Sequence, residues 1–579
     1  MGDHNPEYGT DEESTDDRQN APSLSRRRTL SLFGVGGLGL AAGTAEANSG
    51  HSGGQGNQPF YDWREDVDAN GHAIANLGSL STGDNPTAIR DFAGENLTVD
   101  DGVLNAEMPD VDVPDAVDSR AELDTVHVDE YGAEGDGETD DTEAIQAAVD
   151  DLVENDETGV LTFTAGNHYS VTDTIIVDVR YVRGIEGNNA RVFTSEDVVV
   201  FRIEGSHTGT ANPTGTTDET QIHEMHPFVK NIRISSDTTE VTGLVGTGIE
   251  VEGTFGLQVN QCQLLNLRNG LVFTGNNRNP IVSENNIWHC LDYGVWFDGG
   301  DIHQTNMNNN HISYCRIAIY MPDPSIHDLQ LVGNDIESSS TPPTVDYIIH
   351  AEGSGHLEGL QLVGNTVEDH QALEQGGNIT LDGSEMTLKQ VHIVGNELGN
   401  AALGDIELHG TDDVVIANNT FDGSSADSWA VIVGERNDAL SIIGNTVKNG
   451  GSFVHVDGGD TFMGRFQIAN NSFGDSAAGK ILIENVRIFD CQIVNNNIRD
   501  ESGDGWAVDI SNDIGYLRNF QFTGNNLRVD GGDSGARISA DEETLLILKN
   551  NTARGVSGTD FDFPDHEDGN VIVRDNISN

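Results

Sequence analysis

The chain is poor in positive charge. Its 579 residues hold 29 Lys and Arg against 96 Asp and Glu, a formal net charge of −67, and only five of the basic residues are lysines. Phosphate backbones are held by clustered Lys and Arg, so this composition argues against a nucleic-acid partner. Cysteine is scarce as well: there are four, and none has a His or a second Cys at ligand spacing, which argues against a zinc site. Helical periodicity is missing from most of the chain, and with it go leucine-rich, ankyrin and tetratricopeptide arrays. The longest apolar run, near the N-terminus, is glycine-rich and too short to favour a membrane span.

What the chain does have is asparagine at a fixed interval. Asn285, Asn310, Asn334, Asn365, Asn396, Asn419, Asn445, Asn471, Asn496, Asn525 and Asn551 recur about every 25 residues, and Asp575 is read as closing the series. Two gaps of 31 residues stand out from the rest. A second series lies between the asparagines: GLVFTG ending at Gly275, GVWFDG at Gly299, HAEG at Gly353, NITLDG at Gly383, DIELHG at Gly410 and FVHVDG at Gly458. Alternation with period 2 marks strands. Three short strands per coil of about 25 residues predict an all-β, right-handed parallel β-helix, a single-stranded solenoid in which the asparagines stack along the axis. A propeller would need a blade period of roughly 40. Cys290 and Cys315 each follow a ladder asparagine by five residues, so they are expected to stack as buried thiols in neighbouring coils, with a disulfide as the alternative.

Three regions are expected. Residues 1–47 carry SRRRTL, then the apolar SLFGVGGLGLAAG and a small-x-small site at Ala45-Glu46-Ala47. This resembles a twin-arginine signal peptide and implies export to the medium or cell surface, with no membrane association after cleavage. The acidic composition resembles that of proteins from salt-loving archaea, in which carboxylates keep the surface hydrated in brine. Residues 48–123 read as a linker or small adaptor, and YDWREDVDANGHAIANLGSL within them resembles segments placed ahead of β-helices in tail-spike proteins. Residues 124–579 are the solenoid. They open with VHVDEYGAEGDGETDDTEAIQAAVDDLVEN, where Asp140 and Glu143 form a capping box and Ile145, Ala148, Val149 and Leu152 make one apolar helix face. A helix there would cover the first coil, an N-terminal cap. The chain stops four residues past Asp575 without a second helix, so either self-association at that end, as a homo-oligomer, or fraying of the last coil is expected.

The string YGAEGDGETDDTEAIQAAV resembles the opening of the pectate-lyase superfamily, in particular its rhamnogalacturonase and epimerase-like pectate lyase domains, and GVLTFTAGNHYSV resembles the strand pair that follows. The resemblance implies a β-helix and a polysaccharide partner. It carries no catalytic residue across: of the polygalacturonase motifs only Asp412-Asp413 has a counterpart, and the Arg-x-Pro-x-x-Arg of calcium-dependent lyases is absent.

Candidate residues come from the strand pattern. In each Gly-terminated strand two positions point outward, giving one column of Val272, Trp296, Tyr320, His350, Thr380, Glu407, Ile432 and His455, and a second of Thr274, Asp298, Pro322, Glu352, Asp382, His409, Gly434 and Asp457. Aromatic rings offer stacking surfaces to sugars, and paired carboxylates cleave glycosidic bonds. Glu352, Asp382, His350, Glu407 and His409 are the candidate catalytic groups; Trp296, Tyr320, Asp298, Asp369 and His370 are the candidate substrate contacts. Glu352 with Asp382 would suit a retaining pair at about 5 Å, and Asp298 with Glu352 an inverting pair near about 9 Å. Both long gaps, at SSSTPPTVD and EDHQALEQGGN, would place loops beside this face. A parallel outward column, Trp288, Ser313, Glu337 and Glu368, has no such loops. No metal-binding residue is named and no cofactor is firmly implied, although acidic clusters supply the oxygen ligands Ca²⁺ takes. The expected function is an exported, polysaccharide-active enzyme working by hydrolysis or β-elimination; the alternative is a non-catalytic glycan-binding surface protein or tail-spike-like adhesin.

Overall fold

The computed structural model describes residues 97–100, 103–106 and 124–579, apart from 209–223, 225, 340–346, 371–376, 400, 402–403, 424–427, 478–479, 501–504, 513, 530–533, 557, 564–570 and 579. The signal-like segment and most of the adaptor lie outside the described residues. Two compact units divide the chain, Met1–Val111 and Asp112–Asn579. In the first, Leu97–Asp100 pairs antiparallel with Val103–Ala106.

The second unit is a parallel β-solenoid of about 14 turns. Each middle coil has four sides, one more than the sequence pattern suggests. One coil runs from the front strand Ile317–Pro322 to an edge strand, Ser325–His327, then to the back strand Gln330–Val332 and the ladder-side strand Asp335–Ser339. The edge strands are three or four residues long in these coils and fuse with the back strands further on, as in Met386–Val394. Such short strands, without an alternation of their own, read in sequence as a turn. The helix Thr142–Glu154 is present and buries Ile145, Ala148, Val149 and Leu152. It packs against the early strands Ile175–Asp178 and Gly159–Thr162. Its N-cap, Asp141, makes no capping bond to the helix. That carboxylate instead accepts from the backbone N–H groups of Glu134, Gly135 and Ser170, tying the preceding loop down.

The front strands alternate as expected, with Val295 and Phe297, Ile319 and Met321, Ile349 and Ala351, Ile379 and Leu381, Ile406 and Leu408 all buried. One continuous apolar core fills the coil. Phe273 and Phe297 stack within it at 5.3 Å and 12°. Cys290 and Cys315 are stacked neighbours, and all four cysteines are free and buried. Hydrogen bonding to Cys315, with burial added, holds the Cys290 thiol well above its ordinary range.

Asparagines line the corner before each ladder-side strand. Each donates from Nδ2 to Oδ1 of the next, at 3.0 Å from Asn285 to Asn310 and 2.9 Å from Asn310 to Asn334, and so on to Asn551. The same Oδ1 also accepts the backbone N–H of the preceding asparagine, and Nδ2 donates to a main-chain carbonyl as well. The last member is Asn576, not Asp575: Asn551 donates to Asn576 Oδ1 at 2.9 Å. Asp575 is the residue before it, with φ 54°, and the positions before Asn310, Asn334 and Asn419 likewise have positive φ. This explains the Gly-Asn and Asn-Asn dipeptides, since Gly and Asn tolerate the left-handed region best. Removing one amide from the buried ladder leaves a backbone N–H and a carbonyl without partners, each costing about 1–3 kcal/mol. Asn419→Leu is expected to lower the unfolding free energy by about 2–6 kcal/mol, and urea unfolding at fixed salt checks this. A change no larger than that of a surface substitution would mean the ladder contributes little.

Candidate functional site

Strand register aligns the first outward column as read from sequence. Val272 pairs with Trp296, Trp296 with Tyr320, Tyr320 with His350, His350 with Thr380, Thr380 with Glu407, Glu407 with Ile432 and Ile432 with His455. In the second column Pro322 pairs with Glu352 and Asp382 with His409. The column Trp288, Ser313, Glu337 and Glu368 is also in register, on the ladder side. Asp369 and His370 end the ladder-side strand Thr366–His370; their side chains, and both long-gap loops in large part, lie outside the described residues.

Two clusters form along the front face. In the first, Tyr293 stacks on Tyr320 at 4.7 Å and 23° and leans on Trp296 at 5.1 Å, making an aromatic platform. Tyr320 donates its hydroxyl to Glu352 at 2.7 Å. Burial, then that hydrogen bond, pushes the Tyr320 hydroxyl pKa well up. His350 lies with Nε2 3.7 Å from Glu352, but Tyr347 stacks over its ring at 3.8 Å and it is only 5% exposed. An imidazole covered this way is poorly placed to meet a substrate. Asp298, by contrast, is exposed.

The second cluster is more open. His409 Nε2 lies 3.0 Å from Glu407 Oε1. This bond is the main reason the imidazole pKa is raised; burial opposes it, while the charges of Glu407, Asp382 and Glu435 add to it. Asp382 sits in register with His409 and accepts the Ser384 N–H at 2.9 Å. Burial alone would raise its pKa, but the Ser384 hydrogen bonds and the charges of His409 and His350 outweigh it and the pKa is lowered. A hollow of about 530 Å³ opens beside them, lined among others by Ser384, His409, Glu435, His455 and Asp457. His455 stacks on Trp429 at 4.9 Å, with Nε2 2.9 Å from Glu484.

The candidate residues thus divide between two clusters. Glu352 turns to Tyr320 and His350, whereas Asp382 turns to Ser384 and His409. Tyr293, Tyr347 and Trp429 were not singled out from sequence. Each stands three positions before a member of the first column, Trp296, His350 and Ile432, and that second offset was the available signal. No metal ligand was read from the sequence either. Among the described residues, one group has ligand atoms within 4.8 Å of one another: Asp301, His303 and His327, on the edge strands beside the front face.

Residues 125–341 match a family described as Rhamnogalacturonase A/epimerase, pectate lyase-like. Match and solenoid together support the pectate-lyase-like β-helix superfamily. No curated protein matches the chain. Solved structures similar to this β-helix include the A-module of an Azotobacter vinelandii mannuronan C-5 epimerase, at 12% identity and TM-score 0.41 over 62% of this chain and 100% of that one. A tailspike protein of an E. coli bacteriophage, in complex with a pentasaccharide, is 12% identical with TM-score 0.39 over 75% and 80%. A Streptococcus pneumoniae surface adhesin is 13% identical with TM-score 0.33 over 76% and 100%. With TM-scores this low, none of them bears on the site.

The Glu407–His409 pair gives the β-helix a pH signature. A histidine with a raised folded pKa contributes stability that is fully present below its unfolded value, ordinarily 6.5, and is lost as pH rises through the folded value. Titration of the His409 ring by NMR is expected to show a midpoint above 6.5, and Glu407→Gln is expected to move it down. An unmoved midpoint in that variant would disconnect the two residues.

Proposed function

We propose that the chain is an exported polysaccharide-active enzyme that cleaves glycosidic bonds by hydrolysis, with its chemistry at Asp382, Glu407 and His409. The observation that carries this reading is the order along one face: an aromatic platform at Trp296, Tyr293 and Tyr320, then a hollow lined by the His409 imidazole, whose pKa is raised by Glu407, with Asp382, whose pKa is lowered, in register with it on the neighbouring strand. A sugar chain lying along the coils would stack on the rings and thread its linkage toward the hollow. His409 carries the proton a leaving oxygen needs, and Asp382 is the group that draws one from water or attacks directly. Glu407 orients His409.

Electrostatics favours hydrolysis of a neutral glycan over β-elimination from a uronate. Glu435 and Asp457 line the hollow, Glu407 bonds its His409 and Asp382 is in register with that histidine, while Arg436 Nη1 donates to the Ser384 carbonyl. A uronate carboxylate would meet like charge there. Glycan binding without turnover is the second reading, and one observation favours it: Tyr320 with Glu352 and Glu407 with His409 satisfy one another, as side chains of a rigid binding surface would.

Incubation with a panel of neutral and acidic polysaccharides in high salt separates the readings, with reducing ends reporting cleavage and ultraviolet absorbance reporting unsaturated products. Asp382→Asn and His409→Gln are each expected to lower turnover by about 10²–10⁴-fold while sparing binding. Trp296→Ala and Tyr320→Ala are expected to weaken binding. Retained glycan binding with no turnover in the native chain would establish the adhesin reading instead.

A further inference from the structure

The edge strands beside the front face carry histidines in three consecutive coils. His303 pairs in register with His327, and His356 with Ser325 in the strand that holds His327. Their rings lie in a row, tilted to one another, His303 to His327 at 4.3 Å and 41° and His327 to His356 at 4.4 Å and 51°. Nε2 of His327 and Nε2 of His356 are 2.6 Å apart. His303 Nε2 lies 2.9 Å from Asp301 Oδ1.

The carboxylate is oriented from behind. Asp301 Oδ2 accepts from Arg278 Nη2 at 3.1 Å and from Asn276 Nδ2 at 3.0 Å, which leaves Oδ1 turned to the imidazoles. Outer partners that fix a ligand in this manner are the common accompaniment of metal-binding groups. Arg278 is nearly buried, and its charge offsets that of Asp301. The histidine side chains are partly exposed, 25% for His303 and 31% for His327, so an ion has access from solvent.

We propose that Asp301, His303 and His327 form a binding site for a divalent transition-metal ion of the Zn²⁺ type, with His356 next to His327 as a further imidazole. The donor set decides the class. Two imidazoles and one carboxylate suit Zn²⁺, Ni²⁺ or Cu²⁺, whereas Ca²⁺ takes six to eight oxygens and gains little from a carboxylate already neutralised by an arginine. Three protein ligands leave a fourth position open to water or to a ligand oxygen. Because the ligands come from neighbouring coils, the ion would also join those coils at the rim of the front face.

The test is calorimetric titration of the full, chelator-stripped chain with ZnCl₂ in excess MgCl₂, which occupies the many surface carboxylates. One tight equivalent per chain is expected, and the thermal midpoint should rise when Zn²⁺ is added. His327→Gln and His303→Asn are each expected to weaken that equivalent by at least about 30-fold, with circular dichroism unchanged, while Glu407→Gln on the front face leaves it intact. Co²⁺ in place of Zn²⁺ should give ligand-field absorption that the His327→Gln chain lacks. Equal affinity and stoichiometry in native and His303→Asn/His327→Gln chains would overturn the site and assign any uptake to surface carboxylates. Absence of a tight equivalent in the native chain would overturn it too.

Discussion

The asparagine ladder is the constraint on which the rest depends. Each buried amide satisfies a main-chain N–H of the preceding coil, a main-chain carbonyl and another amide, so a coil that slipped by one residue would orphan several polar groups at once. In a parallel sheet such a slip would also turn every apolar side chain outward. Ladder and core therefore enforce the same register. That register is what turns residues 23 to 31 apart in sequence into neighbours on one face.

Once register is set, neighbouring coils modify one another's chemistry. Asp382 and His409 are opposite each other across adjacent front strands, and each favours the charged form of the other. The tyrosines act differently, since Tyr347 and Tyr320 enclose His350 and remove it from solvent. The same face thus contains a covered imidazole, His350, and a more accessible one, His409, and the pattern of outward positions does not distinguish them. At the edge strands the repeat does something else again, bringing one carboxylate and three imidazoles from three coils into a row.

Much of the architecture was legible because a solenoid is local in its repeat. The front columns, the stacked Cys290 and Cys315, and the helix with Ile145, Ala148, Val149 and Leu152 inward all follow from spacing. Where the reading slipped, the cause was backbone conformation and not side-chain pattern. Asp575 carries the left-handed turn that elsewhere belongs to Gly or Asn, so the ladder amide is one residue later, at Asn576. The fourth side of each coil was missed because strands as short as Ser325–His327 are too brief to show a period.

By itself, then, the amino-acid order determined the repeat, the parallel β-helix and which side chains share a face, because coil length and hydrophobic alternation suffice for those. It did not determine which groups on that face act on one another. Glu352 turning to Tyr320, Asp382 turning to His409, His350 lying beneath Tyr347, and Asp301 joining His303 and His327 were decided by tertiary structure. Columns specify Cα neighbours about 4.8 Å apart, whereas hydrogen bonds and ring stacking depend on rotamers chosen among partners from several coils at once.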